Sequence, residues 1–451
     1  MKILYLVAIV LTMSLLSCKK FLDEKSDMKL AVPERLDDLQ ALLNNENLNN
    51  AVDPGAAEVG ADDYFVTDAD LNSLSNEQNR RLYTWEKDNL FTSVSFPNDW
   101  EYLYTLIYTA NTVLENLEKI ERTLSNAAQY DNIKGQAYFN RARAYYNVLQ
   151  LWSVGYNSST ADSDLGPVIR ESTDFNKTSV RSSVAKGYNY VLSDLLEAKR
   201  LLPNLSVHPL RPGRQASFGL LARVYLSMRE YRNAALYADS CLKIKAVLLD
   251  YNQISTTPTF PFARFNAEVI YECAASIPQI LNNSRAKIVP ELITQYTDND
   301  LRKVLYFKNN NNGTFGWRGS YRAGQGVFPG ITVDEQYLIR AECNARLGNL
   351  QAAVDDLNTL LIKRFKSGTY IPYAVNSLDI LGVILKERRK ELVMRGMRWT
   401  DLKRFNLEGA NITLRRTANG INYELKPNDK RYALEIPQDV IAISGIEQNP
   451  R

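Results

Sequence analysis

Cys18 is the residue whose setting prescribes a reaction. It follows Lys2, an apolar run from Ile3 to Leu16, and the tetrapeptide Leu15-Leu16-Ser17-Cys18. The run is too short to cross a bilayer comfortably and has the layout of a secretory signal. Leu-Leu-Ser-Cys has the form of a bacterial lipobox, in which cleavage falls just before the cysteine and its sulfur and new amino group take up acyl chains. Each buried methylene contributes roughly 0.8 kcal/mol, so two or more chains anchor a protein durably without a transmembrane helix. The expected organisation is a signal peptide over residues 1–17, a lipidated tether over 18–29, and a single domain over 30–451.

Other reactive patterns are incomplete. Setting Cys18 aside leaves Cys241, Cys273 and Cys343, an odd number with no metal-like spacing. His208 is the single histidine, which argues against histidine metal sites and against a Ser/His/Asp triad. Asp68, Asp70 and Asn72 have part of a calcium-loop spacing but lack its glycine and terminal glutamate. Gly324-Gln325-Gly326 lacks the third glycine of a phosphate cradle and runs into Val-Phe-Pro. No metal, no cofactor and no catalytic residue is therefore assigned. The 451 residues carry a formal charge of only +3, without a basic stripe interleaved with aromatics, so nucleic acid is not an expected partner.

The chain is 45% hydrophobic, as a globular protein is, and its periodicity is helical. Helical spacing runs through 30–50, 100–121, 130–152, 184–202 and 215–229. In the third of these, Ala137, Ala142 and Ala144 alternate with Tyr138, Phe139, Tyr145 and Tyr146, so rings can fill a close helix contact. Two segments have tetratricopeptide spacing. From Ala222, Tyr225 lies three on, Ala234 twelve on and Ala238 sixteen on; from Ala341, Gly348 lies seven on, Ala353 twelve on and Leu357 sixteen on. The segments 217–245 and 334–364 are accordingly predicted as helical hairpins of an interrupted array. Two irregular stretches, near 44–98 and 246–333, break the periodicity with Asn, Gly, Thr and aromatic residues. A further helix is predicted from Leu378 to Phe405, with a charged middle in which Glu391 and Arg395 are four apart and able to pair, and a break at Gly396.

That last stretch, Glu387-Arg388-Arg389-Lys390-Glu391-Leu392 with Arg395-Gly396-Met397-Arg398-Trp399-Thr400-Asp401-Leu402-Lys403-Arg404, resembles the C-terminal signature of the SusD/RagB outer-membrane nutrient-binding lipoproteins. The likeness extends to Cys18-Lys19-Lys20-Phe21-Leu22-Asp23, Trp100-Glu101-Tyr102-Leu103-Tyr104, Ala110-Asn111, Gly135-Gln136-Ala137, Arg141-Ala142, Ala222-Arg223-Val224-Tyr225-Leu226, Arg340-Ala341-Glu342, Leu347-Gly348, Ile436-Pro437-Gln438 and Gln448-Asn449-Pro450. Met394-Arg395-Gly396-Met397 departs from the commonest glycine turn, and the ending at Arg451 lacks the usual Gly-aromatic pair.

The resemblance implies an all-α protein, in which tetratricopeptide-like hairpins form a scaffold and the irregular regions capture a nutrient at the cell surface. It further implies delivery of that ligand to a SusC-like TonB-dependent transporter of the outer membrane, without catalysis. A glycan is the expected ligand, because sugar faces stack on aromatic rings and hydroxyls bond to Asp, Asn and Arg. Trp85 and Trp317, one in each irregular region, are the first candidates, followed by Asp62, Asp63, Tyr64 and Tyr321, with Arg322 as a polar partner. On this reading Trp85→Ala or Trp317→Ala abolishes ligand retention without unfolding. A peptide-binding lipoprotein of the same fold is the alternative, and a glycan-cleaving enzyme the third reading.

Overall fold

The computed structural model describes residues 33–91, 98–376 and 379–451. Cys18, the tether and Leu378 lie outside them. Thirteen helices carry the argument: α1 (Leu36–Asn44), α2 (Ala56–Gly60), α3 (Glu77–Tyr83), α4 (Asp99–Leu117), α5 (Ala127–Trp152), α6 (Val184–Leu201), α7 (Arg214–Ser227), α8 (Tyr231–Ile244), α9 (Val333–Arg346), α10 (Leu350–Leu361), α11 (Ile380–Glu391), α12 (Arg398–Leu407) and α13 (Gln438–Ser444). Strands are short: β1 (Tyr64–Phe65), β2 (Leu165–Val168), β3 (Arg181–Ser183), β4 (Val269–Tyr271), β5 (Lys287–Ile288), β6 (Phe307–Asn309), β7 (Phe315–Trp317), β8 (Ile331–Thr332), β9 (Leu414–Ala418) and β10 (Ile421–Leu425). They pair antiparallel as β1–β5, β2–β3, β4–β8, β6–β7 and β9–β10. The fold is thus helical with short clasps, as expected.

The helices α4 to α10 pack in succession, α4 on α5, α5 on α6 and so on. Ala137, Ala142 and Ala144 are fully buried on α5, where small side chains admit a close neighbour. The two tetratricopeptide-spaced segments are hairpins, α7–α8 and α9–α10. They stack directly, α8 against α9, with Ala222, Ala234, Ala238, Ile339 and Cys343 in one cluster. The irregular region between them in sequence is therefore looped out of a continuous array. The seventh position after the first small residue turns each hairpin in the left-handed region: Gly348 has φ +83° and Arg229 has φ +64°. The segment predicted as the first helix is shorter than its periodicity suggested, because Asn45 takes extended backbone after Asn44 and begins a separate turn.

The signature region forms two helices, α11 and α12, and its charges are inside. The backbone leaves the helix after Glu391, with Met394 at φ +55° and Gly396 at φ +73°. The expected Glu391–Arg395 pair consequently does not form. Glu391 instead accepts from Arg302 Nη1 at 3.0 Å and Arg364 Nε at 2.7 Å, while Arg395 donates to Thr332 Oγ1 and Phe328 O at 2.8 Å each. Arg302 also holds Asp300 at 2.7 Å and Glu387 at 2.6 Å, Arg364 holds Glu268 at 2.7 Å, and Lys390 holds Asp300 at 2.9 Å and Glu387 at 2.8 Å. Three cations thus face four carboxylates in a site where Arg302 and Arg364 have no exposed surface. Burial pushes Glu268 up to about 7, against the pull of Arg364. On α12, Arg404 pairs with Glu342 and Asp401, and Arg388 of α11 meets Asp401 at 2.9 Å. Lys403 donates to Gln150 O and Ser153 O at 2.6 Å, supplying a donor to the C-terminal end of α5; burial lowers its ammonium to about 7.

Glu391→Ala leaves Arg302 and Arg364 short of a buried partner and is expected to destabilise the fold by about 3–5 kcal/mol, read as a lowered urea midpoint. Glu58, on α2, accepts from Gly396 N at 2.8 Å, and burial followed by repulsion from Asp63 raises its carboxyl to about 8. A group whose folded pKa is raised stabilises fully below its unfolded value and loses that contribution as pH rises through the folded value. Glu58→Gln keeps the acceptor and removes the titration. Its melting temperature should therefore exceed that of the parent by an amount that grows from about pH 5 to about pH 8 and is flat beyond.

Candidate functional site

The two irregular regions meet at a cleft of about 580 Å³ beside the N-terminal ends of α3 and α4. One wall is Ser75 to Asn79, the other Ser276 to Gln279, and Asn98, Asp99 and Tyr102 close the end. Eight of the fourteen lining residues carry an amide or a hydroxyl, among a larger apolar surface. Asn76 and Asn98 are there because each caps a helix, accepting from Gln78 N at 2.8 Å and Glu101 N at 3.1 Å.

The walls are tied across the cleft. Gln279 Oε1 accepts from Ser75 N at 3.0 Å and Ser75 Oγ at 3.2 Å. Asp99 is buried and accepts from Ala56 N and Ser276 Oγ, both at 2.9 Å, and its burial raises the carboxyl despite those donors. One polar group is left over. Asn79 is 5% exposed, and its Oδ1 has no hydrogen-bond partner among the described residues. A buried amide oxygen without a partner costs on the order of 1–3 kcal/mol. Ile277, half exposed, and the Tyr102 ring supply apolar surface at the rim. Such a cleft can hold a neutral, hydroxyl-rich molecule by hydrogen bonds in fixed directions.

The residues expected to bind ligand lie elsewhere, in two interior clusters. Trp85 is 4% exposed, donates from Nε1 to Gly60 O at 2.9 Å, and is covered by the Arg416 guanidinium 4.5 Å from its ring. Arg416 is also 4.0 Å from the Tyr83 ring and 5.3 Å from that of Tyr64, so these rings form a box around a cation from β9. Tyr64 donates to Val59 O. Asp62 takes both arms of Arg398 at 2.6 and 2.9 Å; burial opposes its charge, but that guanidinium outweighs burial and holds it below the usual carboxylate range. Asp63 accepts from Arg389 at 2.8 Å, yet its deeper burial raises it.

In the second cluster, Trp317 is 3% exposed among Tyr306 and Phe307. Tyr321 donates to Glu268 at 2.7 Å and meets the Tyr251 hydroxyl at 2.8 Å. Arg322 pairs with Glu46 and Glu272. The expectation of exposed ring platforms at Trp85 and Trp317 is thus corrected: both rings are core, and Asp62, Asp63 and Arg322 are committed to ion pairs. Sequence reasoning passed over Asn76, Asn79 and Gln279, whose types look like those of any turn; the helix-start pattern at Asn76-Glu77 was the available signal.

Residues 20–226 match the family described as starch-binding and associating with the outer membrane, and residues 290–448 match the SusD family. SusD-like proteins P25 and P2 of Formosa agariphila are 29% identical over 161 residues and 27% identical over 136. These stretches cover 33% and 30% of this chain and 29% and 25% of those proteins, so under a third of either relative is matched. A solved SusD superfamily protein from Bacteroides thetaiotaomicron VPI-5482 superposes with a TM-score of 0.74 at 24% identity, over 92% of this chain and 100% of that one. A SusD-like carbohydrate binding protein from Bacteroides vulgatus ATCC 8482 does so with a TM-score of 0.68 at 20% identity, over 92% and 97%. At these identities the likeness is one of fold.

Since Trp85 packs on both its hydrogen bond and a buried cation, Trp85→Ala is expected to cost about 3–5 kcal/mol of stability. Thermal denaturation should show this as a large fall in melting temperature, whether or not ligand is present.

Proposed function

Because the chain belongs to the SusD family of outer-membrane-associated starch-binding proteins, we propose that it is a non-catalytic surface lipoprotein that captures a glycan in the polar cleft. In this reading Cys18 carries the lipid anchor, the domain extends over 30–451, and the ligand passes to a SusC-like TonB-dependent transporter. The observation that supports a saccharide is the set of Asn, Gln and Ser side chains lining a cleft whose walls are already locked together. Preorganisation of this kind favours binding, since little order remains to be imposed on the protein. Binding without cleavage is consistent with the two carboxylates that line the cleft. Asp99 is engaged by two donors, and Glu77 is paired with Arg80 and Arg81.

Native gels cast with amylopectin, xylan, mixed-linkage β-glucan or galactomannan test this. The protein should be retarded by at least one polymer, and Asn79→Ala should weaken that retention roughly tenfold, the worth of about 1.4 kcal/mol for a buried hydrogen bond. Migration unchanged in every polymer, with a peptide library retained instead, would replace the glycan by a peptide. Shortened oligosaccharides after incubation would make the protein an enzyme.

A further inference from the structure

The sequence contains two Asn-Gly steps, Asn312-Gly313 and Asn419-Gly420, and each lies at the tip of a hairpin, β6–β7 and β9–β10. Such a step has a chemistry of its own. The main-chain nitrogen of the glycine, with no Cβ beside it, can reach the side-chain carbonyl carbon of the asparagine. The two tips differ in what the fold does to the asparagine amide.

At the first tip the amide is activated. Asn312 and Gly313 are exposed, and Gly313, at φ +81°, has no neighbouring atom within 4 Å of where a Cβ would stand, so water reaches the step freely. Asn312 Oδ1 accepts from Thr314 Oγ1 at 2.7 Å and from Thr314 N at 3.2 Å. That hydroxyl is aimed, because Thr314 Oγ1 accepts in turn from Asn310 Nδ2 at 3.0 Å, and Asn310 N donates to Thr314 O at 3.0 Å. Two donors thus converge on the oxygen where negative charge gathers when the carbonyl carbon is attacked, the arrangement of an oxyanion hole.

At the second tip the amide is tied up. Asn419 Oδ1 accepts from Asn72 Nδ2 and Asn419 Nδ2 donates to Asn72 Oδ1, both at 3.0 Å, while Asn419 N donates to the Asp68 carboxylate at 2.8 Å. The amide nitrogen can leave only by breaking that reciprocal pair, and the charge of Asp68 opposes loss of a proton from the next main-chain nitrogen.

We propose that Asn312 is a site of self-modification, at which the chain converts its own asparagine to aspartate and isoaspartate with water as the sole co-reactant. Hydroxide takes the proton of Gly313 N, the nitrogen attacks Asn312 Cγ, and the charge passes to Oδ1 between the two Thr314 donors. Collapse returns that electron pair to the carbonyl and breaks Cγ–Nδ2; the nitrogen takes a proton from water and departs as ammonia, which restores the hydroxide. The ring so formed joins Gly313 N to both carbonyl carbons of residue 312. Water opens it, at Cγ to give aspartate or at the main-chain carbon to give isoaspartate. Either product places a carboxylate on a tip made of the consecutive residues Asn309 to Asn312, and the isoaspartyl form lengthens the main chain of the turn by a methylene. No residue of this hairpin lines the polar cleft, so the modification does not depend on what the cleft holds.

Peptide mapping of the intact protein after incubation in heavy-oxygen water at neutral pH reads the rate at each step, since every opened ring takes up a labelled oxygen. An isoaspartyl methyltransferase assay identifies the branched product. Asn312 should convert roughly tenfold faster than Asn419, and Thr314→Val, which deletes one donor, should slow it several-fold without touching Asn419. Asn72→Ala, which frees the second amide, should raise the rate at Asn419 toward that at Asn312. In urea, where both turns are lost, the two rates should converge. Equal rates at the two steps of the folded protein, or a rate at Asn312 unmoved by Thr314→Val, overturn the proposal.

Discussion

Everything in this molecule hangs on a cluster of charges that has been taken out of water and must satisfy itself. Arg302 and Arg364 are fully enclosed, and carboxylates from two separate segments take their donors, Glu268 and Asp300 from the looped-out region and Glu387 and Glu391 from the signature helix, with Leu249 O accepting the remaining arm of Arg364. Apolar packing would hold these segments together at least as strongly, since pairs of buried ions regain little beyond their desolvation cost. What charges add is direction. A planar guanidinium accepts only a few arrangements of partners, so the irregular region is joined to the scaffold in one register. Tyr321 extends the cluster through Glu268 to Tyr251 and thence to Tyr306, which carries that register into the second aromatic core.

The scaffold was legible because its signals are local. Ala222, Ala234 and Ala238 announce a close helix crossing by size and spacing alone, and Gly348 marks the turn. Arg229 fills the corresponding turn, which shows that the left-handed conformation belongs to the hairpin and that glycine merely adopts it more cheaply. The charged run at 386–391 was legible only in outline: the repeat spacing before it points to a buried or half-buried joint where Glu387, Arg388 and Glu391 find partners, as the structure has it, but not to which partners. A block of Lys, Glu and Arg on a helix is usually wet, and only the partners at 268, 300, 302 and 364 bring Glu387, Lys390 and Glu391 inside. Those partners are remote in sequence, and no spacing rule points to them.

The same asymmetry explains the ligand residues. Trp85 and Trp317 sit in stretches without helical period, where sequence cannot tell a displayed ring from an enclosed one. Trp85 is enclosed because Arg416, from a hairpin near the C-terminus, lies over it. Conversely, Trp100 and Tyr108 share one face of α4, yet Trp100 is enclosed and Tyr108 is half exposed, because exposure depends on how far the neighbouring elements reach along the helix. Asn79 is the extreme case, a residue of common type that only the fold brings to the wall of the cleft.

The looped-out region also has a consequence for how such a protein can change over generations. Its two ends are stapled together close to the hairpins: β4 pairs with β8, and Arg223 of α7 binds Pro329 O and Gly330 O as well as Glu335. The staple closes the loop beside the place where α8 stacks on α9, so that contact does not depend on the length of the chain between Glu272 and the buried Asp300. Lengthening a closed loop costs little, roughly 0.6 kcal/mol for each doubling. Insertions, deletions and replacements around Ser276 to Gln279 are therefore borne by the staple, and one wall of the cleft can be rewritten as long as Asp300 and Arg302 keep their places in the buried charge cluster.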